Sequence, residues 1–369
     1  MKVAYLMHVD WNWIKQRPHF LYEELTFYYN VDLFYVQKIY NRKSNEINNS
    51  RDVHSFSKIN ILKKIPYSGR FRKLQLVEKL INQKTIIPLK NYDYIWITSP
   101  IILDFVSLDN FQGKIVIYDC MDDFLGFYSG MNGIDRLKQL EIDLVKRSDV
   151  IFTSSSYLKE KMKSIYRDEL KEPPLLVNNG ISSTLFKKGD INDSAIINIS
   201  KSEGLLNLMY IGTIGNWIDF ETILYMLQQN PIVKFTMIGP VDVNVPRHSR
   251  INYIGAVKHE QLTTYANNAD AFIMPFKLSE LVRSVDPVKI YEYILFNKPV
   301  LAIDYGEMHK FLPFVNLYAN KEELLKLVGD LQTDKIETYS RKKALSFLNH
   351  HTWSARAEQI VSILEGVSK

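Results

Sequence analysis

Three carboxylates crowd one short stretch of this chain, Tyr118-Asp119-Cys120-Met121-Asp122-Asp123-Phe124, directly after an apolar run that reads as a strand. In an open α/β sheet the carboxyl end of a strand faces the ligand crevice. Clustered carboxylates repel one another, so one of Asp119, Asp122 and Asp123 can keep its proton to a higher pH and serve as a general base. Activating a sugar hydroxyl is a task of that kind. Helix capping accounts for one aspartate but not three. A metal site is the weaker alternative, because Mg²⁺ usually leans on substrate phosphates.

Three further stretches carry chemistry. In Asp286-Pro287-Val288-Lys289-Ile290-Tyr291-Glu292-Tyr293, Asp286 reads as a helix N-cap and Pro287 as the first helical residue. Asn297 reads as the left-handed residue that closes this helix. Lys289 falls in the first turn, where the helix dipole disfavours a cation unless an anion is present to receive it and the free backbone N–H groups. Glu292, three residues on, shares its face. The pair suits a diphosphate and a ribose; the alternative is a surface Lys-Glu pair. Tyr210-Ile211-Gly212-Thr213-Ile214-Gly215-Asn216-Trp217 is a strand followed by a glycine turn, a common phosphate site that glycine also occupies for steric reasons alone. The loop Asp10-Trp11-Asn12-Trp13, followed by Arg17-Pro18-His19, offers two tryptophans to stack on sugar rings, or to tether the loop to a core. His8 and His19 are possible bases, although a lone histidine is more often structural.

The elements that must position these groups alternate in both halves. Strands are expected at 3–9, 31–36, 94–98, 114–118 and 149–153, with Leu175-Leu176-Val177 preceding the turn signal Asn178-Asn179-Gly180, then at 207–212, 234–238, 251–254, 271–274 and 299–303, with helices in the gaps and a helical segment from 321 to 366. Such alternation predicts an α/β protein with two parallel, doubly wound sheets. At roughly 150 residues per domain, 369 residues make two domains. The expected division is 1–186, a polar linker at 187–204, 205–340, and a terminal segment at 341–369. The single cysteine, Cys120, excludes an internal disulfide and a multi-cysteine zinc site, and fits a reducing compartment. No stretch reaches the ~20 apolar residues that span a bilayer. The net charge is +5, with cations gathered between Lys38 and Lys90 among apolar residues such as Phe71, Leu76 and Leu80. That region is expected to be mostly loop and helix. It suits an anionic membrane surface or, equally, a solvated helix face. No recognised motif accompanies the charge to favour nucleic acid.

Taken together, these stretches resemble the GT-B bacterial glycosyltransferases, in particular the family 4-like group of capsule, exopolysaccharide and teichuronic acid biosynthesis. The resemblance runs through Gln16-Arg17-Pro18-His19, Tyr118 to Asp123, Asn178-Asn179-Gly180, Tyr210-Ile211-Gly212, Ile238-Gly239-Pro240, Tyr253-Ile254-Gly255, and Asp286 to Val300, the most specific segment. It implies a GT-B architecture, two Rossmann-like domains facing a central cleft, with a last helix near Trp353-Ser354-Ala355-Arg356 crossing back to the N-terminal domain. It further implies a donor site in the C-terminal domain. There Glu292 would bind the ribose, and Lys289, Gly212, Thr213 and Gly215 would lie at the diphosphate. Val257 and Lys258 would lie at the base; Phe276, Glu280 and Arg283 near the sugar; Pro287 and Val288 at the helix start. Asp10, Trp11, Trp13, Arg17 and His19 would form the acceptor side. Two departures stand out. Ser284 sits where retaining members often carry a second glutamate, and Thr213 with Asn216-Trp217 replaces an expected Arg and Lys. An inverting route with Asp122 or Asp123 as base is therefore compatible with these residues, as is a retaining route that needs no base.

The expected activity is transfer of a sugar from a nucleotide-sugar, by default a UDP-sugar, to a glycan or lipid-linked saccharide. It would need no metal or other cofactor, and would take place in the cytoplasm or peripherally on the inner face of the membrane. A nucleotide-sugar epimerase of the same architecture and a non-catalytic nucleotide- or glycan-binding scaffold are the alternatives.

Overall fold

A computed structural model describes residues 1–38, 58–130, 133–187, 204–257 and 261–367. The chain divides into two compact units, Met1–Asn179 with Trp353–Lys369, and Gly180–Thr352.

Unit 1 is built on β1 (Lys2–Met7), β2 (Asn30–Lys38), β3 (Ile59–Lys64), β4 (Tyr94–Ile97), β5 (Ile115–Cys120), β6 (Val150–Thr153) and β7 (Leu175–Leu176). They form one sheet in the order β3-β2-β1-β4-β5-β6-β7, with every pairing parallel. A parallel sheet is covered on both faces, so its central strands are apolar throughout rather than alternating. Accordingly, Val3, Ala4, Tyr5, Leu6 and Met7 are all buried, as are Tyr94 to Ile97. Its helices are α1 (Arg17–Leu25), α2 (Arg72–Ile86), α3 (Ile134–Arg147) and α4 (Ser156–Ile165). The expectation of mostly loop and helix between 38 and 90 is corrected in part by β3. This is an edge strand with only Leu62 buried, so its pattern carries little apolar signal. Its outer edge is closed by a side chain: the Asn82 amide accepts from Lys63 N at 2.8 Å and donates to Lys63 O at 3.0 Å.

Unit 2 opens with α5 (Thr184–Lys187) and repeats the plan with β8 (Leu206–Ile211), β9 (Val233–Ile238), β10 (Ile251–Gly255), β11 (Ala271–Met274), β12 (Val300–Ile303) and β13 (Asn316–Tyr318). The order is β10-β9-β8-β11-β12-β13, again all parallel. The remaining helices of this unit are α6 (Phe220–Gln229), α7 (Leu262–Asn267), α8 (Glu280–Arg283), α9 (Val288–Leu295), α10 (Lys321–Gln332) and α11 (Arg341–Asn349).

The expected helical segment 321–366 consists of three helices. Asp334, in the left-handed region with φ 53°, ends α10, and the Ser340 hydroxyl caps α11 by accepting from Lys343 N. The last helix, α12 (Trp353–Val367), belongs to unit 1. It packs on α1 through Phe20 and Trp353, stacked at 5.1 Å and 7°, and Arg356 Nε donates to Asn179 O at 3.0 Å. The boundaries drawn from the sequence therefore move. Residues 180–186 join unit 2, α11 stays in unit 2, and the returning segment begins at Trp353 rather than at 341. Apart from its end residues, the expected linker 187–204 lies outside the described residues.

Candidate active site

In unit 1 the strand order reverses between β1 and β4, the position where open α/β sheets place their ligands. A cavity of about 510 Å³ opens there at the carboxyl ends of the strands. His8, Asp10 and Trp13 after β1 line it, with Thr98 and Ser99 after β4 and Asp122 after β5. Phe105, Phe124, Phe127 and Tyr128 give it an aromatic wall. Trp13 and Phe127 remain 52% and 47% exposed, so apolar ring surface is presented beside polar groups.

The three aspartates divide their labour. Asp119, fully buried, receives Arg17 of α1 through Nη2 at 2.8 Å and Nε at 3.1 Å; Arg17 Nη1 also donates to Val177 O at 2.8 Å. Asp123, also buried, is paired with Lys161 of α4 at 2.7 Å and accepts from Gly126 N. Asp122, between them, has no hydrogen bond or ion pair to its carboxylate among the described residues, and it lines the cavity. Burial among protein atoms pushes its pKa up to about 7; the Arg17 guanidinium opposes the rise, and the neighbouring Asp119 and Asp123 add to it. A carboxylate in that range at the wall of a cavity fits a general base. His8 faces the same space with Nδ1 2.7 Å from Thr98 Oγ1, and burial lowers its pKa to about 4, so it is a neutral hydrogen-bonding group near pH 7.

Several sequence assignments are corrected here. Asp119 and Asp123 are committed to ion pairs and are not free bases. Arg17 is 3% exposed and joins α1 to β5, so it belongs to the scaffold and not to the acceptor surface. Trp11 is buried against His19 and Tyr22, with ring centroids 5.5 and 5.4 Å away. His19, 0% exposed, accepts from Gln16 N and thereby closes a capping box at the start of α1. Of the expected acceptor residues, Asp10 and Trp13 reach the cavity. Sequence reasoning missed Thr98, Ser99, Phe127 and Tyr128. The switch-point rule, applied to the residues after β4, would have found the first two.

In unit 2 the corresponding reversal lies between β8 and β11. The loops after these strands are tied together by backbone hydrogen bonds, Asp219 N to Pro275 O at 2.8 Å and Lys277 N to Trp217 O at 2.7 Å. Helix α9 is anchored to the end of β8 by the Tyr293 hydroxyl, which accepts from Ile211 N at 2.8 Å and donates to Ile211 O at 3.2 Å. Lys289, four residues before Tyr293, therefore lies on the helix face that meets the end of β8, one turn toward the N-terminus. It is one-third exposed and paired with Glu292 at 2.9 Å. Gly212 and Thr213, at the end of β8, are part-exposed, as are Val257 and Val288. Glu280 and Arg283 on α8 are exposed.

Other residues of the expected donor set are not at the surface. Ser284 is 0% exposed with its hydroxyl on Leu281 O. Phe276 packs edge-on against Tyr210, and Pro287 is buried. Gly215 is a packing glycine: a Cβ there would lie 2.5 Å from the Trp217 ring. Lys258 lies outside the described residues. Asp286 does not cap α9; the helix starts at Val288 and the Asp286 carboxylate pairs with Lys310 at 2.8 Å. Asn297, at φ 55°, closes α9 in the expected left-handed conformation. Gly239, φ 146°, lets the end of β9 approach β8 so closely that a Cβ would stand 2.1 Å from Gly212 O. Gly239→Ala is expected to cost at least ~2 kcal/mol, read as a lower urea midpoint from Trp217, the tryptophan of unit 2. An unchanged midpoint would refute this close approach.

Among the described residues, no group of three or more His, Cys, Asp or Glu is placed to hold a metal ion, and no helix is long and apolar enough to cross a membrane.

Residues 221–362, which carry α6 to α11, most of α12 and the Lys289–Glu292 pair, match the family described as "Glycosyl transferase-like". The putative teichuronic acid biosynthesis glycosyltransferase TuaH of Bacillus subtilis (strain 168) is 27% identical over 230 residues, 58% of this chain. The match spans 57% of that protein's length. Among solved structures, sucrose-phosphate synthase from Thermosynechococcus elongatus superposes with a TM-score of 0.71 at 14% identity, covering 99% of this chain and 98% of that one. Anabaena HepE, solved in complex with UDP and glucose, gives 0.67 at 14% identity over 99% and 100%. Likeness at these identities shows the fold, and the fold is GT-B, as the sequence resemblance implied.

Proposed function

We infer that this GT-B chain is a glycosyltransferase, moving a sugar from a nucleotide-sugar donor in unit 2 to an acceptor hydroxyl in the cavity of unit 1. The observation that carries the reading is the free carboxylate of Asp122 at the switch point of unit 1, framed by two aspartates that are already neutralised. A nucleotide-binding scaffold has no use for an uncompensated base there, and an epimerase acting on the donor alone has none for a second, aromatic-walled site.

In the proposed reaction the acceptor oxygen forms a bond to the anomeric carbon, and the bond from that carbon to the diphosphate oxygen breaks. The hydroxyl proton passes to Asp122, and the nucleoside diphosphate leaves with the bonding electrons. Lys289 and the backbone N–H groups after β8 would neutralise the charge that develops on the diphosphate, with no resident metal or other cofactor. Glu292 would accept the ribose hydroxyls. UDP is the first nucleotide to test, since HepE was solved with it. The acceptor is a saccharide, free or lipid-linked; the likeness to TuaH points to surface polysaccharide, with teichuronic acid or capsule as candidate pathways.

Thermal shift with UDP, GDP, ADP and their sugars tests the donor half. One nucleotide is expected to stabilise the protein by about 2.7 kcal/mol at 100 times its Kd. Glu292→Ala is expected to weaken that nucleotide ~10- to 100-fold, the worth of a hydrogen bond to a charged group. Affinity retained within about twofold would remove Glu292 from the ribose.

A further inference from the structure

Helix α2 buries two polar side chains and leaves apolar ones outside. Its inward row carries Glu78 and Asn82, 0% and 1% exposed, between part-buried Leu74 and Ile86, 6% exposed. Glu78 accepts from Ile65 N at 2.6 Å and Lys64 Nζ at 3.2 Å, and Asn82 serves the backbone of Lys63. Its outward positions carry Leu76, Val77, Leu80 and Ile81, at 57, 44, 66 and 45% exposure. An ordinary surface helix turns its leucines inward.

The outward residues fall into two adjacent rows of fourfold spacing, Leu76-Leu80-Lys84 and Lys73-Val77-Ile81, so each apolar row carries a lysine at one end. Tyr67, Phe71 and Ile87, 70, 58 and 52% exposed, flank the helix. Lys73, Lys79, Lys84 and Lys90 are exposed, as is Arg70, and none pairs with an acid among the described residues. Glu78 is the single acid between 66 and 90, and it points into the protein.

We propose that this face of α2 docks on an anionic lipid surface, with Leu76, Val77, Leu80 and Ile81 entering the acyl boundary and the lysines meeting headgroup phosphates. Charge complementarity selects this occupant. A second copy of the chain, related by a twofold axis, would set this lysine-bearing face against the same face, with no acid to answer it. A neutral apolar partner would leave them unanswered. The surface also communicates with the cavity. Glu78 holds Lys64, and Lys64 lines the cavity wall, so an acceptor carried in the leaflet would meet unit 1 beside its binding site. The proposal goes beyond the transfer reading and stands without it, since docking needs neither donor nor acceptor.

Co-sedimentation of the full chain with vesicles is the test, comparing phosphatidylcholine alone with phosphatidylcholine plus phosphatidylglycerol, at low and high salt. Binding is expected to be more than ~10-fold tighter to the anionic vesicles and to weaken with salt. Lys73→Gln/Lys79→Gln/Lys84→Gln is expected to reduce it about fivefold per charge removed, on the order of a hundredfold in all. Leu76→Gln/Leu80→Gln is expected to abolish it, with the melting temperature and nucleotide shift unchanged as evidence of an intact fold. Equal sedimentation of the wild type with both vesicle types, or unchanged binding by either variant, would overturn the proposal. Concentration-dependent dimerisation without lipid, lost in the Leu76/Leu80 variant, would assign the face to a second copy instead.

Discussion

Asp122→Asn is expected to lower kcat by ~10²- to 10⁴-fold, the usual contribution of a positioned base, and to leave nucleotide affinity where it was. The substitution keeps the side chain's size and removes only its ability to take a proton. The wild-type pH profile carries the same information. With a pKa pushed up to about 7, Asp122 is protonated and inactive in acid, so kcat/KM is expected to rise with pH and level off above an apparent pKa near 7. Stability moves the other way. The native state holds this proton at pH values where the unfolded chain, with an ordinary aspartate, has released it, so stability falls as pH rises from about 4 to 7. Asparagine removes that cost. The variant is expected to gain ~1–2 kcal/mol at pH 8, after allowance for partial exposure, and less at pH 5. Release of nucleoside diphosphate and urea melts at the two pH values read both effects. Full turnover in Asp122→Asn would remove the base from the mechanism.

Arg17→Met is expected to cost 3–5 kcal/mol, roughly what is lost when one partner of a buried ion pair is removed. The loss would come from the stranded Asp119 carboxylate, 0% exposed, more than from any missing attraction. Adding Asp119→Asn to the same chain should recover most of it, because no buried charge is then left without a partner. Tryptophan fluorescence in urea is a suitable probe, since Trp11, Trp13, Trp96 and Trp353 all belong to unit 1. A single variant within ~1 kcal/mol of wild type would show that the pair is not structural.

Much of the framework was legible because central parallel strands are apolar on both faces and are bounded by turn residues. β1, β4, β5, β8, β11 and β12 all fall within a residue or two of their expected places. The end of α9 was legible too, since Asn297 before Lys298-Pro299 has few other uses. What stayed hidden depends on partners far along the chain. Nothing near Arg17 announces Asp119, 102 residues away, and nothing near Asp123 announces Lys161. The Asp cluster was therefore visible as a cluster, but not which member is left over. Asp286 shows the same loss locally: its capping propensity gave way to Lys310, held 2.8 Å away by the fold. The outward apolar residues of α2 were visible only as a mixture with cations, because Glu78 and Asn82 turn inward to meet the backbone of Lys63 and Ile65, far from them in sequence.

Unit 1 is interrupted in sequence by the whole of unit 2 and completed by α12, whose Gln359 reaches Leu176 O and whose Trp353 covers Phe20. Unit 2 is continuous from Gly180 to Thr352, so its core closes among its own residues, whereas unit 1 is completed only when α12 returns to it. A chain shortened before Trp353 is thus expected to keep the core of unit 2 and to lose the packing that closes unit 1.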